Sequence, residues 1–297
     1  MKTMKTLSGT MRLSFVILAP VCAVLGLAAA YYATGHIRWG YFALALIAAV
    51  SSHISVNVFN EYFDFKTGLD AHTERTPFSG GSGTLQAHPE LAPKALRLGW
   101  VTLAIPGLIG LYFTLVWGWG GLPLGLCGLL LLYGYTTWMV RRPLLCLLAP
   151  GLGFGPLMVL STSFALTGGY SMPAFVASLI PFFLVSDLLL LNQFPDVEAD
   201  RAVGRNHLPI AIGRRASAYV YIAFLLAAYA VIAAGVLVGW LPLFSLIGLL
   251  TLVIAVQIIR NVLANAEDVR ALVPSLGQNV IVNLTTPLLL AVGLFLR

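Results

Sequence analysis

Residues 173–200 read PAFVASLIPFFLVSDLLLLNQFPDVEAD. Through residue 194 the stretch carries one charge, Asp187, and it exceeds the roughly 20 residues a helix needs to cross a bilayer. It closes on a polar string, Asn192-Gln193-Phe194-Pro195-Asp196-Val197-Glu198-Ala199-Asp200. A second string, Asn60-Glu61-Tyr62-Phe63-Asp64-Phe65-Lys66-Thr67-Gly68-Leu69-Asp70, ends the apolar run before it in the same way. Together the strings hold Glu61, Asp64, Asp70, Asp196, Glu198 and Asp200, six of the chain's 11 acidic residues. A carboxylate at the centre of a membrane helix is disfavoured by ~2.5–3.5 kcal/mol on insertion scales. Acids gathered at the ends of two such helices therefore signal function.

Working outward, the 297 residues are 59% hydrophobic and 9% charged, with mean hydropathy +0.91. A soluble domain carries roughly 25% charged residues, so the chain is expected to be all-α and polytopic. Nine spans are expected, at about 13–34, 41–63, 95–117, 120–138, 144–167, 173–194, 217–238, 241–259 and 275–296. Ala28-Ala29-Ala30 mimics a cleavage site, but the apolar run before it is too long for a signal peptide, so the first span is expected to be retained. Trp117, Trp119 and Tyr170 suit the bilayer interface.

Charge sets the expected topology. With the amino terminus inside, 15 of the 17 Lys and Arg fall in inner segments, leaving Arg38 and Arg297 outside. That is the positive-inside pattern, and the lipid bilayer is the partner it implies. The net charge of +6 is scattered among short loops with no basic run, which argues against nucleic acid. Cys22, Cys127 and Cys146 lie in apolar segments without motif spacing and read as small apolar core residues.

Residues three and four apart share a helix face. His53, Asn57, Asn60 and Asp64 follow that spacing, as do Asn192, Asp196 and Asp200. Each string thus ends a polar stripe in carboxylates at the inner surface. The strings also repeat at an offset of 132 residues, which suggests two related halves facing a central cavity. An oxygen-rich pocket of Asp64, Asp70, Asp196 and Asp200 repels a diphosphate unless divalent cations intervene. Magnesium suits it, taking one or two carboxylates and completing its octahedron with phosphate oxygens and water. Lys66, Arg75, Arg141, Arg142 and Arg205 are candidates to neutralise remaining phosphate charge. Tyr62, Tyr133 and Tyr135 read equally as cavity-lining rings able to stabilise a cation or as interfacial anchors. His53 reads first as a satisfied interior residue, and Asn57 as an interhelical hydrogen-bonding group.

Asp187 is turned about 140° from Asn192 on an ideal helix, away from the acidic stripe, and is expected to pair with a neighbouring helix. The glycines of Gly151-Leu152-Gly153-Phe154-Gly155-Pro156 suit close packing or a broken helix. Thr76-Pro77-Phe78-Ser79-Gly80-Gly81-Ser82-Gly83 resembles a lid or an anion-cradling turn. Pro195 is expected to end its helix.

These residues resemble the UbiA superfamily of intramembrane aromatic prenyltransferases, over nearly the whole chain. The sequence is most similar to its 1,4-dihydroxy-2-naphthoate polyprenyltransferase branch, through Asn60, Asp64, Gly68, Asp70 and Arg75, the 151–156 glycines leading to Thr167-Gly168, and Asn192, Asp196, Asp200-Arg201 and Gly204-Arg205. Glu61, where Asp is usual, and Gln193-Phe194-Pro195 depart from the pattern. The resemblance implies one membrane domain over 1–297, with cytoplasmic loops about 64–94 and 195–216 capping the active site, in a bacterial or archaeal cell membrane. It implies that Asn60, Asp64, Asp70, Asn192, Asp196 and Asp200 hold magnesium, with Asp64, Asp196 and Asp200 catalytic. Lys66, Arg75, Arg141 and Arg205 would contact the diphosphate, and His53, Asn57, Tyr62 and Tyr135 the aromatic or prenyl groups. The substrates implied are a polyprenyl diphosphate and an aromatic acceptor.

Other acceptors stay open at this point: 4-hydroxybenzoate, homogentisate or a haem. A CDP-alcohol phosphotransferase would need an Asp-Gly-x-x-Ala-Arg start, which the sequence lacks. A cation-coupled transporter would place its acids near the midplane, whereas these lie at one surface.

Overall fold

The computed structural model describes residues 6–69 and 81–297, and every regular element among them is a helix. Asp70, Arg75 and positions 76–80 of the glycine-rich turn lie outside the described residues. The principal helices are α1 (Leu18–Thr34), α2 (Trp39–Thr67), α3 (Ala92–Trp117), α4 (Leu122–Thr137) and α5 (Pro143–Thr167). They are followed by α6 (Met172–Ala202), α7 (Arg214–Leu237), α8 (Leu243–Asn265) and α9 (Val269–Leu296).

Seven of the described helices are long and apolar enough to cross a membrane, or eight if the bent pair Ser8–Val16 and Leu18–Thr34 counts as one span. The nine expected spans are not all reproduced. The shortfall is α4, whose 16 residues cover only ~24 Å at 1.5 Å per residue, short of a ~30 Å hydrocarbon core. The first span is itself broken, with a 45° bend ahead of Leu18.

The acidic strings begin on helices that run further than expected. α2 continues to Thr67 and stops at Gly68, whose left-handed φ of 75° turns its N–H back to the carbonyls of Asp64 and Phe65. α6 continues through Pro195 to Ala202, correcting the expectation that this proline ends it. A proline inside a helix costs ~3 kcal/mol through a lost donor and a crowded carbonyl. Packing overrides that cost, because Leu191 and Phe194 are fully buried and Val197 nearly so, and the buried stripe crosses the proline unbroken.

That stripe organises the second half of the molecule. Ala177, Ile180, Leu184, Leu191 and Phe194, at steps of three, four and seven residues, join α1, α7, α8 and α9 in one apolar core. Between helices in lipid such contacts act through van der Waals packing rather than transfer from water. Gly151 and Gly155 let α5 approach α6 closely. A Cβ on Gly151 would stand 2.1 Å from Phe182 O, and one on Gly155 2.4 Å from Ser178 O. Close packing is the reading that holds; the helix does not break here but widens, Gly153–Val159 forming a π-helical turn that accommodates Pro156.

The first half is hollow. A cavity of about 340 Å³ is bounded by α2, α3, α4 and α5, with Leu189 its contribution from α6. Beyond α5 the later helices contribute only Leu189 to its lining, so the expected arrangement of two related halves facing one cavity is not reproduced.

Candidate active site

The polar stripe of α2 falls where its spacing places it. His53, Asn57 and Asn60 all face the cavity, together with Tyr135 of α4. His53 is buried, with its ring edge-on to Phe154 at 4.7 Å. Asn57 also donates through Nδ2 to Met11 O at 3.0 Å. Thr136 of α4 donates its hydroxyl to Asn60 Oδ1, fixing the amide at the cavity's inner end. One turn further on, Asp64 lines a smaller hollow with Thr136, Arg141 and Arg205.

Arg205, from the loop after α6, joins the two strings. Its Nη2 donates to Asp64 Oδ1, while its Nη1 donates to Asp200 Oδ1 at 3.2 Å. Its own N–H donates to Asp200 O at 3.0 Å, so the loop folds back over the end of α6. Burial works to lower the guanidinium pKa, but Asp64 and Asp200 outweigh it and hold the group above its usual range. His207 Nε2 lies 3.0 Å from the other Asp200 oxygen. Arg205 thus gives buried Asp200 a counter-charge and a hydrogen bond, the condition under which a carboxylate tolerates burial.

The remaining candidates divide. Asp196 lies on α6 one turn before Asp200 and is half-buried. Asn192 Oδ1 is buried without a hydrogen-bond partner. Arg141 is exposed at the rim of the hollow, and Arg142 is exposed and does not line it. Lys66 is exposed, its Nζ 5.9 Å from the centre of the Tyr62 ring. Tyr62 and Tyr133 do not border the cavity; Tyr133 stacks on Trp100 at 5.2 Å. Of the three tyrosines, Tyr135 alone reaches it.

Sequence reasoning missed several partners. Thr136 and His207 belong to no motif, and only the fold brings them to Asn60 and Asp200. Cys146 is more than apolar filler, because Gln193 Nε2 donates to its Sγ at 3.2 Å. Cys127 is exposed on the outer surface of α4, against the expectation of a core position. Asp187 turns from the site as expected and is fully buried. Neither of its oxygens has a hydrogen-bond partner, so the expected pairing is not a direct bond.

The donor set suits a hard divalent cation shared with a substrate. Asp64 and Asp200, joined through Arg205, offer oxygen ligands, the type magnesium prefers, whereas Asn192 and Asp196 line neither hollow. Among the described residues no three His, Cys, Asp or Glu converge tightly enough to hold a metal alone. Phosphate oxygens would have to complete its shell.

The profile of the UbiA prenyltransferase family matches residues 18–296. Among curated proteins, the chain is 27% identical to a 1,4-dihydroxy-2-naphthoate octaprenyltransferase of Bacillus subtilis, covering 86% of this chain and 81% of that protein. It is 26% identical to a 2-carboxy-1,4-naphthoquinone phytyltransferase of Synechocystis, covering 82% and 78%. A solved UbiA homologue from Aeropyrum pernix superposes with a TM-score of 0.73 at 18% identity, covering 95% of this chain and 98% of that one. A homologue from Archaeoglobus fulgidus, solved with DMAPP and Mg2+, gives 0.62 at 14% identity, covering 94% and 98%.

Proposed function

Because the chain belongs to the UbiA prenyltransferase family, we propose that this membrane prenyltransferase transfers a polyprenyl group from an allylic diphosphate to 1,4-dihydroxy-2-naphthoate. The observation that carries the reading is the Arg205 bridge between Asp64 and Asp200 beside an apolar cavity. A charged head and a long greasy tail are the two halves of a prenyl diphosphate, and the site offers matching surroundings for each. The acceptor assignment draws on the two naphthoate-type relatives.

Asp64, Asp200, Asp196, Asn60, Asn192 and, outside the described residues, Asp70 would hold magnesium. When bound, that ion neutralises the diphosphate and stabilises charge on the departing oxygen. Arg205 and Arg141 face the same hollow and supply guanidinium donors to the phosphates; Lys66 and, outside the described residues, Arg75 would add positive charge. The tail lies along the glycine-lined wall of α3 and α4, where Gly110, Gly125 and Gly128 leave open space. Tyr135 and Asn60 stand between head and tail, where the allylic carbon would lie. The carbon–oxygen bond breaks with its electrons leaving on diphosphate, and the electron-rich ring supplies the pair for the new carbon–carbon bond. Apolar walls keep water from the allylic cation, and the ring face of Tyr135 is suited to stabilise it. With a naphthoate acceptor the carboxyl group departs as carbon dioxide.

The membrane arrangement belongs to the same reading. Nine passes follow if α4 crosses with the help of its flanking turns Trp119–Gly121 and Met139–Arg141. The positive-inside pattern of the basic loops supports a cytoplasmic amino terminus and acidic site, within one domain. Mass spectrometry of product from 1,4-dihydroxy-2-naphthoate tests the function. A prenylated, decarboxylated product that forms only with magnesium supports it. Product formed equally well after chelation, or none from this acceptor while 4-hydroxybenzoate is prenylated, rejects it.

A further inference from the structure

One acid of the α2 string does not face the site. Glu61 is fully buried, and both its oxygens are engaged. Oε1 accepts from Arg12 Nε at 2.6 Å and from Ser82 N at 2.7 Å, and Oε2 accepts from Ser82 Oγ at 2.7 Å. Two distant segments thus meet on one side chain. The first is the strap Ser8–Val16 ahead of α1; the second is the stretch from Ser82 into the short helix Thr84–Ala87.

Neighbouring contacts reinforce the junction. Asn57 Nδ2 ties the strap at Met11 O, and the Thr84 N–H donates to Ser82 Oγ at 3.1 Å. Leu7, Val16, Ile54, Val58 and Leu85 form one buried apolar cluster linking strap, α2 and short helix. Arg12 adopts a left-handed φ of 47°, uncommon for a side chain of this size; its bond to Glu61 holds it there. Three donors occupy most of the roughly four acceptor sites of this carboxylate, and its burial keeps it from the hollow that Asp64 lines.

We propose that Glu61 is a positioning residue: a joint that locks the strap and the Ser82–Ala87 segment onto α2, fixing the turn that presents Asn60 and Asp64. This rests on the prenyl-transfer reading for its effect on substrate, but the joint itself can be tested without substrate. It accounts for an acid within the string that is not a ligand, and it makes residues before α1 part of the site's scaffold.

Full-length enzyme in lipid nanodiscs provides the test. Amide exchange across residues 81–87 should quicken about tenfold in Glu61→Ala, and less in Glu61→Gln, as opening of the Ser82 bonds becomes easier. Unchanged exchange overturns the joint. In prenyl transfer, Glu61→Gln should raise KM for the prenyl diphosphate about tenfold, the scale of one charged hydrogen bond, with kcat within about threefold. Glu61→Asp should recover part of the loss. Arg12→Gln should reproduce part of the Glu61→Gln loss, and the double variant should be no worse than Glu61→Gln alone, since the Arg12 contact is one of those Glu61 makes. A fall in kcat with a raised magnesium requirement, and additivity with Arg12→Gln, would make Glu61 a ligand and overturn the proposal. Absence of transfer in the wild-type protein would sink the catalytic reading alone, because amide exchange still decides the joint.

Discussion

Arg205 donates to Asp64 across 141 positions of sequence, joining the inner end of α2 to the loop that follows α6. The same guanidinium reaches Asp200, so one cation fixes the separation of the two acidic strings. Arg205→Gln leaves two buried carboxylates without their counter-charge, a change that typically costs ~3–5 kcal/mol. The thermal midpoint in detergent should fall and transfer should be lost. Arg205→Lys keeps the charge but not the fork, so stability should recover more than transfer does. Equal recovery of both would show that the fork has no part in substrate binding.

Thr136 orients the Asn60 amide at the cavity's inner end. Thr136→Val preserves shape and removes the donor, at roughly 0.5–1.5 kcal/mol for a neutral hydrogen bond. Steady-state kinetics should show kcat/KM lowered about three- to tenfold with little change in melting temperature. A larger fall in stability than in kcat/KM would reduce Thr136 to a packing residue.

The cavity wall predicts selectivity by tail length. Gly125 and Gly128 of α4 have open space where a side chain would grow. Gly128→Leu should therefore fold, raising KM for long prenyl diphosphates while sparing the shortest donors. Competition between a short and a long donor reads this directly; an unchanged ratio would move the tail elsewhere.

Gly155 tests the α5–α6 seam. Any Cβ there meets backbone, at 2.4 Å from Ser178 O and 2.7 Å from Phe182 N. Because the obstacle is main chain, Gly155→Ala must separate the helices, and overpacking of this kind costs ~1–3 kcal/mol. Melting should fall accordingly, whereas Gly40→Ala, with nothing near its Cβ, serves as a neutral control.

Much of this was legible in the sequence because membrane helices enforce a simple code. Three- and four-residue spacing placed His53, Asn57, Asn60 and Asp64 on one face, and the same spacing turned Asp187 away. What escaped depends on contacts between distant segments. Five basic residues were candidates near the acids, and nothing local distinguishes Arg205, which bridges the acids, from Arg142, which is exposed. Glu61 belongs to the string by position, yet its partners Arg12 and Ser82 lie 49 and 21 residues away. Pro195 read as a helix end because local backbone preference cannot see the packed core on both sides of it. The hollow first half and packed second half were hidden by similar composition, since Gly and Leu line a cavity as readily as they fill a core.

The central claim is that Asp64 and Asp200 act as one magnesium-dependent site for the diphosphate. Single-turnover prenyl transfer, titrated with magnesium, measures it in Asp64→Asn, Asp200→Asn and the double variant. Residues that act as a unit are strongly non-additive, so each single variant should lose about a hundredfold or more and the double should lose little beyond that. Either single variant retaining full magnesium-dependent transfer, or losses that simply multiply in the double, would contradict the account.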